Sequence, residues 1–161
     1  MNLYLIRHSI AEKISPQKKD FDRELTAEGK EVLMSAVTYW KRIIPKFDII
    51  LCSPLLRAVE TANIIANNSD YKNEIFIDNN LAAGANTNDL IEILNSYNYE
   101  NIACIGHQPD LSEHVSNFIS NNGCVLHFPP AAICKIRFNG SAKFSKGELI
   151  YLIPPEIFKT Y

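Results

Sequence analysis

Short continuous apolar runs alternate with segments of helical period along most of this chain. The runs are Leu3 to Ile6, Asp48 to Cys52, Glu74 to Ile77 and Asn101 to Ile105. They lack polar alternation, which suits strands buried on both faces, as in a parallel sheet. Between the first two, Leu33, Ala36, Val37, Trp40 and Ile44 recur at three- and four-residue spacing. That spacing predicts a helix from about Ala27 to Ile44, capped by Thr26 and ended by Pro45. Ser53-Pro54, a capping residue followed by proline, predicts the opening of a second helix that runs to about Ala66 and stops at Asn67-Asn68-Ser69. Thr87 is expected to cap a third helix through about Tyr97. Pro109 opens a fourth, whose apolar face is Leu111, Val115, Phe118 and Ile119.

After Gly123 the texture changes. Two extended stretches, about Ala132 to Phe138 and Glu148 to Ile153, have no helix between them and read as a closing hairpin. Alternating strand and helix with right-handed crossovers predicts a three-layer α/β/α domain on a mostly parallel sheet, spanning residues 1–161 as a single unit. No internal repeat, low-complexity segment or linker interrupts it.

Composition narrows the function. Hydrophobic residues make up 47% of the 161 positions and charged ones 21%, with a formal net charge of -2. These values argue against disorder and membrane insertion. They give none of the basic footprint a nucleic-acid binder needs, so an anionic partner must be met by a local cluster of cations. The largely apolar stretch from Met1 to Ile6 is too short for a signal-peptide core or a membrane span, and the expected location is cytoplasmic. Cys52, Cys104, Cys124 and Cys134 sit singly, never at metal-ligand spacing, and are read as buried thiols of a reducing compartment.

Three polar clusters each follow a predicted strand: Arg7-His8-Ser9, Ser53-Pro54-Leu55-Leu56-Arg57 and Gly106-His107-Gln108-Pro109. Each has an ordinary reading taken alone. Arg-His after a strand is common, Ser-Pro caps helices, Arg57 could be a solvated charge and His107 a turn residue. Their shared position is what joins them, because open α/β sheets bind ligands outside the carboxyl ends of their strands. Two arginines and two histidines meeting there would hold an anion, and the guanidinium fork matches phosphate oxygens. Arg57, early in its helix, would add to the helix's positive end. His114 and His127 are assigned no role, and Trp40 reads as core.

Leu5-Ile6-Arg7-His8 resembles the Arg-His signature of the histidine phosphatase, or phosphoglycerate mutase-like, superfamily. Ser53-Pro54-x-x-Arg57-Ala58-x-x-Thr61-Ala62 is similar to its second motif and Gly106-His107-x-Pro109 to its third, in the family's order and over nearly the whole chain. Within it, the short length, Arg23-x-Leu25-Thr26-x-x-Gly29 and the closing hairpin resemble the small bacterial phosphohistidine phosphatases of the SixA type. The resemblance implies a six-stranded mixed sheet with one strand of the final hairpin antiparallel. It makes His8 the nucleophile and Arg7, Arg57 and His107 the phosphate pocket, with Arg23 and Ser9 as accessory contacts. Ser9 stands where glycine is more usual, which narrows backbone freedom beside His8, and Glu60 stands where glutamine is common.

A phosphoryl-accepting imidazole must be neutral, and the arginines are expected to depress its pKa from about 6.5. The same cations would stabilise charge on the transferring group, with no metal and no cofactor required. Many relatives draw a proton donor from the loop after the third strand. Here that loop falls near Leu81-Ala82-Ala83-Gly84-Ala85-Asn86, which carries no carboxyl group. Losing a general acid costs about 10²- to 10⁴-fold for an alkoxide leaving group, whereas a phosphohistidine substrate can expel a neutral imidazole. The expected activity is therefore removal of phosphoryl groups from a phosphohistidine-containing signalling or phosphotransferase protein. The alternatives are a small-metabolite phosphomonoesterase or mutase drawing its acid from Asp20, Asp22 or Asp110, and a phosphate-binding module without turnover.

Overall fold

A computed structural model of the chain describes residues 1–158; the last three positions of the expected 1–161 domain lie outside the described residues. Six strands, β1 (Asn2–Arg7), β2 (Ile49–Cys52), β3 (Ile75–Ile77), β4 (Asn101–Gly106), β5 (Ile133–Phe138) and β6 (Gly147–Ile153), form one sheet in the order β3-β2-β4-β1-β5-β6. The β1–β4, β2–β4 and β2–β3 pairs are parallel. β5 runs antiparallel to both β1 and β6, so it alone is reversed. This matches the mixed sheet expected from the family resemblance.

The helices are α1 (Ala27–Trp40), α2 (Leu56–Asn68), α3 (Thr87–Ser96) and α4 (Asp110–Ile119). The β1–α1–β2–α2–β3 path steps one way along the sheet and then reverses through α3 to β4. Right-handed crossovers stepping in opposite directions must cover opposite faces. Tyr4 and Ile6 of β1 accordingly pack with Leu33, Val37 and Ile65 of α1 and α2. Leu3 and Leu5 pack with Leu90, Leu94 and Val115 of α3 and α4. The continuous apolar run of β1 thus serves two cores through its twofold side-chain alternation.

Several boundaries differ from the sequence reading for local reasons. α1 ends at Trp40, four residues before the expected Ile44, and residues 41–43 form a turn. α2 begins at Leu56, not at Ser53-Pro54. Its N-cap is Leu55, with no side-chain cap, and the Ser53 hydroxyl instead accepts from Leu55 N at 3.3 Å. Asn86 rather than Thr87 caps α3, accepting from Asp89 N at 2.9 Å. β3 was expected to be buried on both faces, but it lies at the sheet edge with Phe76 and Ile77 exposed. Of the four cysteines, Cys124 is exposed, because residues 121–125 are an exposed stretch of the loop between α4 and β5. No helix among the described residues is long and apolar enough to cross a membrane.

Candidate active site

β1 and β4 are neighbours whose following helices leave to opposite faces of the sheet, so a crevice opens where their carboxyl ends lie side by side. Arg7 ends β1, His107 follows β4, and β2 delivers Ser53 beside them. The pocket there has a volume of about 300 Å³ and is lined by Arg7, His8, Arg23, Arg57, Ala83 and His107, among others. All three sequence clusters meet in it.

His8 is half-buried. Its Nδ1 lies 2.7 Å from the Ser9 carbonyl, which can only accept, so Nδ1 carries the proton. The lone pair is therefore on Nε2, where Arg57 Nε donates to it at 3.3 Å. The pKa of His8 is pushed down to about 4. Burial is the largest cause and outweighs the Ser9 hydrogen bond, and the charges of Arg57, Arg7 and Arg23 add to it. Desolvation, ahead of the arginine charges expected from the sequence, leads the depression.

The rings of His107 and His8 lie 5.1 Å apart. His107 is buried, and its pKa falls to about 3 through desolvation and then the proximity of His8 and Arg57. Its Nε2 is 2.6 Å from Ser53 Oγ. That hydroxyl already accepts from Leu55 N, and among the described residues its proton has only His107 to go to. His107 Nε2 is thus the acceptor and Nδ1 the donor, and Nδ1 is buried with no protein partner among the described residues. Arg7 is in a similar state. Nη1 donates to the Phe128 carbonyl at 2.8 Å, while buried Nε has no partner among the described residues. Burial lowers both Arg7 and Arg57 from the ordinary guanidinium value, but both remain cations.

Arg57 is the second residue of α2 and is nearly sequestered, at 4% side-chain exposure. Thr61 Oγ1 accepts from Ser9 N at 3.2 Å and donates to the Arg57 carbonyl at 2.7 Å, tying the loop after β1 to this helix. Ser9 backs the pocket. Its hydroxyl donates to the Gly29 carbonyl at 2.7 Å, and its backbone does not take a positive φ, so serine fits in place of glycine without strain. Glu60 has a structural role, accepting from Leu25 N at 2.6 Å and pairing with Lys30 at 2.8 Å.

Arg23 lines the pocket but is committed to protein partners. Its Nε and Nη2 reach Asp20 Oδ1 at 2.8 and 2.7 Å, and its Nη1 donates to the Glu12 carbonyl at 2.6 Å. Partial burial raises the Asp20 pKa, but the Arg23 hydrogen bond and the Arg57 charge more than offset it, leaving a net depression. Asp20 is therefore an ionised carboxylate, not a proton donor, in the free protein. Asp110 is buried behind the loop after β3, accepting from Gly84 N at 2.8 Å, and Asp22 is exposed. That loop contributes Ala83 to the pocket and no acid. Among the described residues no group of three or more His, Cys, Asp or Glu side chains is placed to share a metal ion. Ser53, a member of the second motif that serine before proline presents as a helix cap, contacts His107 behind the pocket.

The model of the histidine phosphatase superfamily (branch 1) matches residues 3–83. An uncharacterized protein of Picosynechococcus sp. is 29% identical over 97% of this chain and 98% of its own length. The fold superposes on the protein histidine phosphatase SixA, solved with tungstate, at a TM-score of 0.82 and 19% identity, covering 99% of this chain and 100% of that one. It also superposes on a mycobacterial glucosyl-3-phosphoglycerate phosphatase at 0.70 and 12% identity, covering 92% and 96%. The chain belongs to the histidine phosphatase superfamily (branch 1), as a phosphatase whose chemistry runs through a histidine nucleophile.

Proposed function

We propose that the protein is a phosphohistidine phosphatase in which His8 Nε2 is the attacking atom. Its substrate is a cytoplasmic signalling or phosphotransferase protein carrying a phosphorylated histidine. The observation that carries this reading is the pair of buried donors, Arg7 Nε and His107 Nδ1, that have no partner among the described residues and line the pocket with a neutral imidazole. A buried donor left unmade costs about 1–3 kcal/mol, and an oxyanion seated beside His8 would satisfy both. Polar groups aimed in advance at a transferring phosphoryl group stabilise the charge that develops on its oxygens.

In the proposed reaction, Nε2 attacks phosphorus in line and the bond to the substrate's imidazole nitrogen breaks. The electron pair stays with that nitrogen, and a proton on the substrate's other ring nitrogen lets it depart neutral. Arg57 Nε, released from His8 Nε2, turns to a phosphoryl oxygen. Water then attacks phosphorus of the His8 intermediate, the P–Nε2 bond breaks with its electron pair returning to Nε2, and phosphate leaves carrying the water's proton. Nothing in the loop after β3 protonates a leaving alkoxide, and Asp20 is held ionised by two arginines. This favours a nitrogen-linked substrate over an alkyl phosphate ester and argues against a mutase or metabolite phosphatase.

The test is single-turnover phosphorylation of the enzyme by a phosphohistidine protein and by a series of aryl and alkyl phosphates. Phosphohistidine and activated aryl phosphates should react, and alkyl phosphates should lag by about 10²-fold or more. His8→Ala should form no phosphoenzyme while keeping its fold. Equal rates for aryl and alkyl esters would show that an acid is present and would favour the small-metabolite reading. Turnover by His8→Ala would overturn the mechanism.

A further inference from the structure

Arg57 presents two hydrogen-bonding edges. Nε and one proton of Nη2 form its side edge; the outward protons of Nη1 and Nη2 form its end edge. The side edge faces His8, with Nε 3.3 Å from Nε2. The end edge is filled by Asp20, whose carbonyl accepts from Nη1 at 2.7 Å and whose Oδ2 accepts from Nη2 at 3.1 Å. The other carboxylate oxygen takes both Nε and Nη2 of Arg23. One carboxylate therefore bridges two arginines of the pocket, a single guanidinium away from the nucleophile.

On the reading of this pocket as a phosphoryl site, we propose that Asp20 is a resident anion that fills its outer subsite and sets specificity. It excludes substrates that carry a second negative group beside the phosphoryl group. Two arginines lining a phosphate pocket would otherwise seat a carboxylate through bidentate pairing. Asp20 takes those donors, and its own charge repels a further anion. A phosphoryl group on His8 still has the side edge of Arg57, Arg7 Nε and His107 Nδ1. Arg23, expected from the sequence as an accessory contact, lines the pocket and holds Asp20. A phosphohistidine brings no second negative charge on the carrier ring and meets no penalty.

The experiment compares the affinities of phosphoglycolate and ethyl phosphate at neutral pH, by calorimetry on the full chain, with inorganic phosphate as the reference ligand. The two esters differ in a carboxylate placed next to the phosphoryl-bearing carbon. The native protein should bind phosphoglycolate more weakly than ethyl phosphate. Asp20→Asn should shift that ratio toward phosphoglycolate by about tenfold or more. Asp20→Glu, which keeps the charge, and Asp22→Asn, which alters an exposed neighbour, should leave the ratio unchanged. A native protein that already prefers phosphoglycolate overturns the proposal whether or not the variants fold. So does a folded Asp20→Asn that binds inorganic phosphate with an unchanged ratio. Absence of phosphate binding by the native protein would overturn the phosphoryl-site reading itself, so the two failures are distinct.

Discussion

As the proposed attacking atom, His8 Nε2 needs a lone pair free of a proton, so its usefulness rests on a depressed pKa. Burial is the largest single cause of that depression, which predicts that the imidazole stays neutral far below 6.5 and titrates near about 4. Carbon and nitrogen chemical shifts of labelled histidine across that range would check it, and titration near 6.5 would contradict it. Ser53 is the residue whose part is least obvious beforehand. Its hydroxyl fixes the His107 tautomer, so Ser53→Ala frees the ring to present a bare nitrogen to the phosphoryl group. Steady-state rates should fall by about tenfold or more, approaching the 10²-fold typical of losing such a donor outright, while KM changes less. A normal kcat would mean that His107 needs no orienting partner. Arg7, His8, Arg57 and His107 were legible in the sequence as candidates because each stands at or shortly after the carboxyl end of a strand. Ser53 was legible only as a cap, since serine before proline has a local use that hides a long-range one.

Elements are joined around the site by a contact that sequence spacing alone does not reveal. Gly29, in the first turn of α1, lies against the backbone of Ile10, and a Cβ there would stand 2.1 Å from the Ile10 carbonyl oxygen. That same oxygen accepts from Thr26 N at 2.9 Å, and the Gly29 carbonyl accepts from Ser9. The start of α1 is thereby bolted to the loop carrying His8. Gly29→Ala should push the two apart and cost about 1–3 kcal/mol of stability, as overpacking does. It should also lower phosphatase activity, although no reacting group is touched. Denaturant titration and rate measurement on the same sample would check both effects; a stable, active variant would show that the contact yields freely. The stretch Arg23-x-Leu25-Thr26-x-x-Gly29 was visible as a pattern, but its physical reasons, a close approach, a cap and an arginine clamp on Asp20, are long-range contacts. Apolar periodicity placed all four helices correctly to within a few residues at their ends. It misjudged β3, because burial at a sheet edge depends on strand order, which local texture does not encode.

Across the whole molecule, three buried or half-buried histidines share one property that couples folding to pH. His8 and His114 are depressed to about 4 and His107 to about 3, in each case with desolvation as the leading cause. Their unfolded values are near 6.5, so between there and about 4 the unfolded chain binds protons that the folded one does not. Stability must therefore fall as pH drops through that window, at up to about 1.4 kcal/mol per pH unit for each fully contributing histidine. His114 lies apart from the pocket; its Nδ1 is 2.9 Å from the Thr87 hydroxyl, which also accepts from Asn117. Replacing it tests the coupling without touching the site. His114→Gln should flatten the slope of unfolding free energy against pH above the carboxylate range by roughly a third, and should leave phosphatase activity at neutral pH unchanged. Denaturant melts at a series of pH values down to about 5 give the slope directly. A native slope near zero would mean that the imidazoles protonate in place, and a slope unaltered in His114→Gln would assign the acid sensitivity to the pocket pair alone.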